Sequence, residues 1–125
     1  MSIALWCVLV AGLLPYSAAA LAKVGDRKTF DNHNPRQWLA ARTGMAARAN
    51  AAQANSFEAF PLFAAAVIVA TLLHAPEERV DLLALVFVAA RISFIGCYLA
   101  NKATPRSLSW LVGIVCVVAI FVAGA

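Results

Sequence analysis

Four long apolar runs dominate this chain, and the polar segments between them are too short to make a separate soluble module. The runs cover about residues 3–22, 45–74, 80–101 and 108–124. At a helical rise of about 1.5 Å per residue, ~20 residues cross a hydrocarbon core of roughly 30 Å. Of the 125 residues, 63% are hydrophobic and 13% charged, whereas soluble domains run at about half and a quarter. A compact soluble fold of this size has too little interior to hide so much apolar surface. The expected fold class is therefore an all-α membrane protein, one domain over residues 1–125, built as an up-down bundle of four transmembrane helices. Short turns at residues 75–79 and 102–106 make sequential helices antiparallel neighbours.

The first run ends in Ser17-Ala-Ala-Ala-Leu-Ala22, which raises the rival reading of a cleaved signal peptide. No Lys or Arg precedes the run, and a signal peptide wants a positive start, so a retained span is expected. A polar stretch from Lys23 to about Gly44 follows, with a turn or helix start at Asn34-Pro35 and a helix from Arg36 onward. The second span is longer than a bilayer needs, so its polar first turns should project into the cytoplasm. Pro61 lies within it, where neighbouring groups can satisfy the freed carbonyl.

Charge sets the expected orientation. Six of the ten Lys and Arg residues (Lys23, Arg27, Lys28, Arg36, Arg42 and Arg48) fall between the first span and the embedded part of the second. Lys102 and Arg106 lie in the third connection, and Arg79 alone in the second. The positive-inside rule puts connections one and three in the cytoplasm and both termini on the other side. A formal charge of +4 could suggest nucleic acid, but these cations sit in inter-helix loops, where topology and anionic membrane lipid explain them. Cys7, Cys97 and Cys116 lie inside apolar runs with no metal-ligand spacing, and His33 and His74 belong to different loops. The cysteines are read as small buried apolar residues, and no metal site is expected. Trp6, Trp38 and Trp110 are expected as interface anchors.

Two ionisable residues, Glu58 and Arg91, fall inside spans, where charge is costly and turns toward a bundle interior or a wet cavity. At 100° per residue, Arg48, Asn55 and Glu58 share one stripe of the second span, and Arg91, Phe94, Tyr98 and Asn101 share one of the third. Arg91 should sit about 8 Å deeper than Glu58, within reach of its long side chain, so an Arg91–Glu58 pair is expected. Such a pair can simply hold helices together. The basic mouth formed by Arg27, Lys28, Lys102 and Arg106 adds a functional reading: a site for a small anionic or zwitterionic ligand.

The run Arg48-Ala-Asn-Ala-Ala-Gln-Ala-Asn55-Ser-Phe-Glu58-Ala-Phe-Pro61-Leu-Phe63 resembles the second-helix signature of the MAPEG family, the membrane-associated proteins of eicosanoid and glutathione metabolism. Ala90-Arg91-Ile92 with Tyr98 resembles the third-helix signature, Pro105-Arg106-Ser107 the turn after it, and Arg27-Lys28-Thr29-Phe30 the basic element after the first helix. The resemblance implies a homotrimer that binds glutathione between protomers near the cytoplasmic face. It implies that Arg27, Lys28, Arg48, Asn55, Glu58, Arg91, Phe94 and Tyr98 contact glutathione, and that Arg106 sits beside the thiol with Ser107 as a hydrogen-bond donor. It further implies transferase or peroxidase chemistry on a lipophilic small-molecule substrate arriving from the bilayer, and a place in a bacterial inner membrane. Three positions depart from the pattern: Ala51 where glutathione-using relatives carry Arg, Gln53 where several carry His, and Phe94 without a hydroxyl. The alternative keeps the fold and drops the chemistry, giving a trimeric membrane protein that binds a lipid or another small polar ligand. A proton-coupled multidrug transporter of similar size would need an acid in the first span, which has none.

Overall fold

The computed structural model describes all residues 1–125 and contains helices only: α1 (Ile3–Val24), a 3-10 turn (Arg27–Thr29), α2 (Pro35–Ala40), α3 (Gly44–Leu72), α4 (Glu77–Leu99) and α5 (Ala103–Ala123). Four of them, α1, α3, α4 and α5, are long and apolar enough to cross a membrane.

Their ends explain why two spans begin earlier than hydropathy suggests. Helix α4 starts at Glu77 and not near Val80 because Glu77 and Glu78 can occupy its first turn, where carboxylates meet the positive end of the helix dipole. Helix α5 starts at Ala103 and not near Leu108, so Pro105 and Arg106 lie inside its first turn. Proline is tolerated there because first-turn N–H groups have no intrahelical acceptor. Short α2 takes Pro35 as its first residue for the same reason. Helices α3 and α4 stop alike. His74 (φ 56°) and Asn101 (φ 58°) adopt left-handed backbone, and the next residues donate back across the last turn, Ala75 to the Ala70 carbonyl at 2.9 Å and Lys102 to the Cys97 carbonyl at 2.8 Å.

The interior is a seam of small residues. Ala4, Cys7, Ala11, Pro15, Ala18 and Ala22 line the buried face of α1 at steps of three or four residues. Ala49, Ala52, Ser56, Phe63, Ala66 and Ala70 do the same on α3. In lipid, helix association is driven by close packing rather than by escape from water, and small residues let backbones approach. Phe63 and Phe87 stack at 3.9 Å between α3 and α4, closing the middle of the bundle. The Ala4 N–H donates to Asp81 Oδ1 at 2.7 Å, tying the start of α1 to α4. Leu13, Ile68, Leu82, Leu111 and Val118 stay exposed on the outer surface, the position of lipid-facing side chains.

The connection between α1 and α3 is a folded cap. Trp38 is buried at 7% exposure, so it is a core residue of this cap and not the interface anchor expected from sequence. Its indole N–H donates to Thr29 Oγ1 at 3.2 Å, its ring meets Phe30 edge-on at 5.1 Å, and Arg42 lies over it at 4.3 Å. Arg42 also forms an ion pair with Asp26. Trp6 and Trp110 are exposed.

Candidate functional site

The site lies on the flank of α3 that faces α4 and α5, toward the α2 end of the bundle. Near that end, Arg48 donates through Nε and Nη2 to the Leu99 carbonyl at 3.3 and 3.2 Å, capping an otherwise free acceptor at the end of α4. Two turns further along α3, the antiparallel α4 brings Arg91 level with Asn55 and Ser56. Arg91 Nη2 donates to Asn55 Oδ1 at 2.8 Å and to Ser56 Oγ at 3.3 Å. Arg91 is only 3% exposed, and its guanidinium lies over the Phe94 ring at 4.2 Å. Phe94 meets Tyr98 edge-on at 5.5 Å, and Arg106, from the first turn of α5, lies over the Tyr98 ring at 4.6 Å.

A continuous ladder therefore runs Arg106–Tyr98–Phe94–Arg91–Asn55, a pair of rings with a guanidinium over each. Its register follows from the sequence. Arg91, Phe94 and Tyr98 recur at helical spacing on the buried face of α4, and early initiation of α5 points Arg106 back over the end of α4. Each ring face offers an attractive quadrupole to the guanidinium next to it, which offsets part of the cost of holding charge away from water.

Glu58 departs from the sequence expectation. It is exposed on the protomer and is not paired with Arg91; the ion pair in this protomer is Arg42–Asp26. The physical reason is register: Arg91 extends toward the α2 end and finds the neutral oxygens of Asn55 and Ser56 one turn before Glu58. The acid and the guanidinium still share a groove of about 70 Å³, lined also by Leu62, Phe87, Trp110 and Gly113. Gly113 shapes this groove, since a side chain there would stand 3.7 Å from Phe87 and 3.8 Å from Arg91 Cδ.

Six of the expected residues thus come together: Arg48, Asn55, Arg91, Phe94, Tyr98 and Arg106. Glu58 stands at the rim. Ser107 is exposed beside Arg106, and Arg27 and Lys28 are exposed on the 3-10 turn, with no hydrogen bond to the ladder. Sequence reasoning missed Ser56. Its signal was a lone hydroxyl in the small-residue seam of α3, buried to 4% exposure. Trp110 and Gly113 were not singled out as groove residues because only the packing of α5 against α3 places them there. Three guanidiniums against one carboxylate leave the site cationic, suited to an anion or a zwitterion with excess negative charge.

Comparison with known proteins places the chain at family level. The MAPEG family model matches residues 3–125. No curated protein and no solved structure matches the chain.

Proposed function

The chain belongs to the MAPEG family, and from that premise we propose that it is a glutathione-dependent transferase or peroxidase acting on lipophilic electrophiles. The observation that supports this most is the ladder from Arg106 to Asn55. It sets the partly exposed Arg106 guanidinium at one end and the Asn55 amide at the other, a pairing that suits a thiol peptide.

A thiol of ordinary pKa, about 8.5, is mostly protonated at neutral pH. A neighbouring guanidinium favours the thiolate, which is the nucleophile. Arg106 is half-buried over Tyr98 and fits that role, with the exposed Ser107 hydroxyl as a further donor. The proton leaves to water, and the sulfur lone pair forms a C–S bond with an electrophile entering from the bilayer as its leaving group departs or its activated double bond takes up a proton. With a hydroperoxide it attacks an oxygen, the O–O bond breaks to release the alcohol, and a second glutathione thiol converts the sulfenic acid to disulfide and water. Arg48, Asn55 and Arg91 would hold the peptide, with Glu58 available for its ammonium group. Arg27 and Lys28 would meet a carboxylate only if the ligand, or another protomer, spans the gap from the 3-10 turn.

Exposure of Glu58 supports assembly as a homotrimer. A charged side chain facing hydrocarbon costs at least about 2.5 kcal/mol, so a second protomer would cover this face. The basic connections support cytoplasmic placement of the site and non-cytoplasmic termini in a bacterial inner membrane. One observation favours the second reading, a non-catalytic binder of a lipid or small polar molecule: Ala51 removes a cation from the flank that carries Asn55.

Thiolate absorbance on adding glutathione to detergent-solubilised protein separates the two. The enzyme reading expects a signal that disappears in Arg106→Ala. A protein giving no thiolate signal, or the same signal without Arg106, is not the enzyme.

A further inference from the structure

The contact between Arg91 and Asn55 fixes the direction of an amide. A guanidinium has only donors, so the Asn55 atom 2.8 Å from Arg91 Nη2 is the carbonyl Oδ1. A flipped amide would set donor against donor. The Asn55 Nδ2 group therefore points away from Arg91, and it donates to nothing within the protomer. Asn55 is half-buried, on the flank of α3 between the packed seam and Glu58. Its free face is a pair of N–H donors on the same flank of α3 as Glu58, beside the Arg91 guanidinium.

Two contacts keep Arg91 where it can impose this orientation. Ser56 Oγ receives the same Nη2 at 3.3 Å from inside the seam, and Phe94 supports the guanidinium from below at 4.2 Å. No fully buried side-chain nitrogen or oxygen lacks a partner, and the donors left free here are Asn55 Nδ2 together with Arg91 Nε and Nη1, since Arg91 bonds only through Nη2.

We infer that Ser56 is a positioning residue which, through Arg91, locks Asn55 as a hydrogen-bond donor, so that this part of the site recognises an acceptor, a carboxylate ahead of a neutral carbonyl, and not an ammonium. The inference rests on the proposed function in one respect, that Asn55 meets the ligand. It leaves Glu58, one turn along the groove, as the acceptor for a cationic group.

Asn55→Asp provides a test by sign. The aspartate keeps an acceptor for Arg91, and with it the fold, but turns an acceptor toward the ligand. Carboxylate binding should weaken by about tenfold or more, the worth of a charge-assisted hydrogen bond, while thermal stability in detergent holds or rises. Ser56→Ala should lower the preference for glutathione over its dimethyl ester, alongside a modest fall in melting temperature from the lost bond to Arg91, whereas a merely structural hydroxyl would weaken both ligands alike. An Asn55→Asp protein that binds glutathione as well as the parent does, or better, overturns the inference. So does an ester preference unchanged in Ser56→Ala. If the parent protein binds no glutathione, the proposed function fails, and the inference is judged with glutamate and acetate as probes. Thermal stabilisation of the parent by these anions, abolished in Asn55→Asp, supports it; no stabilisation, or equal stabilisation of both proteins, overturns it.

Discussion

Replacing Gly113 by alanine should stabilise the protomer and narrow the groove at once. The added methyl would stand 3.7 Å from two atoms of the Phe87 ring and 3.8 Å from Arg91 Cδ, all ordinary contact distances. Escape from water contributes little in lipid, so the packing gain is that of three new heavy-atom contacts at roughly 0.1–0.2 kcal/mol each. The helix-propensity gain, up to about 1 kcal/mol in water, is smaller where the unfolded chain stays helical in the micelle. A net gain of about 0.5–1 kcal/mol follows. Gly12→Ala should go the other way, because its methyl would sit 3.2 Å from the Phe60 ring and force that ring aside. Gly96→Ala meets nothing within 4 Å and serves as the reference. Thermal unfolding of the three variants in one detergent gives the order Gly113→Ala above the parent, Gly96→Ala near it and Gly12→Ala below. A Gly113→Ala protein less stable than the parent would refute the packing of α5 over Phe87 and Arg91. The same methyl takes a large share of a groove of about 70 Å³, so a stabilised variant should also admit bulky lipophilic compounds less well, read by competition with a fluorescent lipophilic probe.

Arg91→Leu should destabilise by about 3 kcal/mol, since it strands the Ser56 hydroxyl and removes two hydrogen bonds from a charged donor; unfolding in detergent measures it, and a loss under 1 kcal/mol would contradict the burial described. Arg42→Ala should cost only about 0.5–1 kcal/mol, because its ion pair with Asp26 is partly exposed, but should raise hydrogen exchange across residues 26–42 as Trp38 loses its cover. Asp81→Ala should cost about 1 kcal/mol and speed exchange at Ala4, whose N–H loses its acceptor.

The number of spans and the two stripes were legible in the sequence because both arise from local periodicity. Composition fixes how much apolar surface needs lipid, and helical spacing fixes which polar residues share a face. Arg91, buried as an intramembrane cation should be, follows from those two facts. Its partner does not. Whether a long side chain on α4 meets Glu58 or Asn55 depends on the axial register between helices and on one rotamer choice, and neither leaves a mark in a single helix pattern. The same holds for Trp38, whose apolar ring suits an interface belt or a small core equally well until the connection folds and brings Phe30 and Arg42 against it. The early starts of α4 and α5 were hidden because hydropathy registers Glu77, Glu78, Pro105 and Arg106 as loop-like, whereas the unpaired N–H groups of a first turn accommodate all four.

The small-residue seam between α1 and α3 has a consequence for how this protein tolerates change. Alanine has no rotamers to order, so the two helices are joined by backbone proximity rather than by interlocking side chains. Any enlargement at Ala4, Ala11, Ala18, Ala52 or Ala66, all at most 5% exposed, must wedge the two rods apart, and no smaller replacement except glycine exists. The surface turned outward obeys no such rule, since acyl chains are fluid and accept leucine, valine or phenylalanine alike. Random variation in this chain should therefore be absorbed almost entirely on the side that meets lipid, leaving a narrow alanine spine as the part that admits least revision.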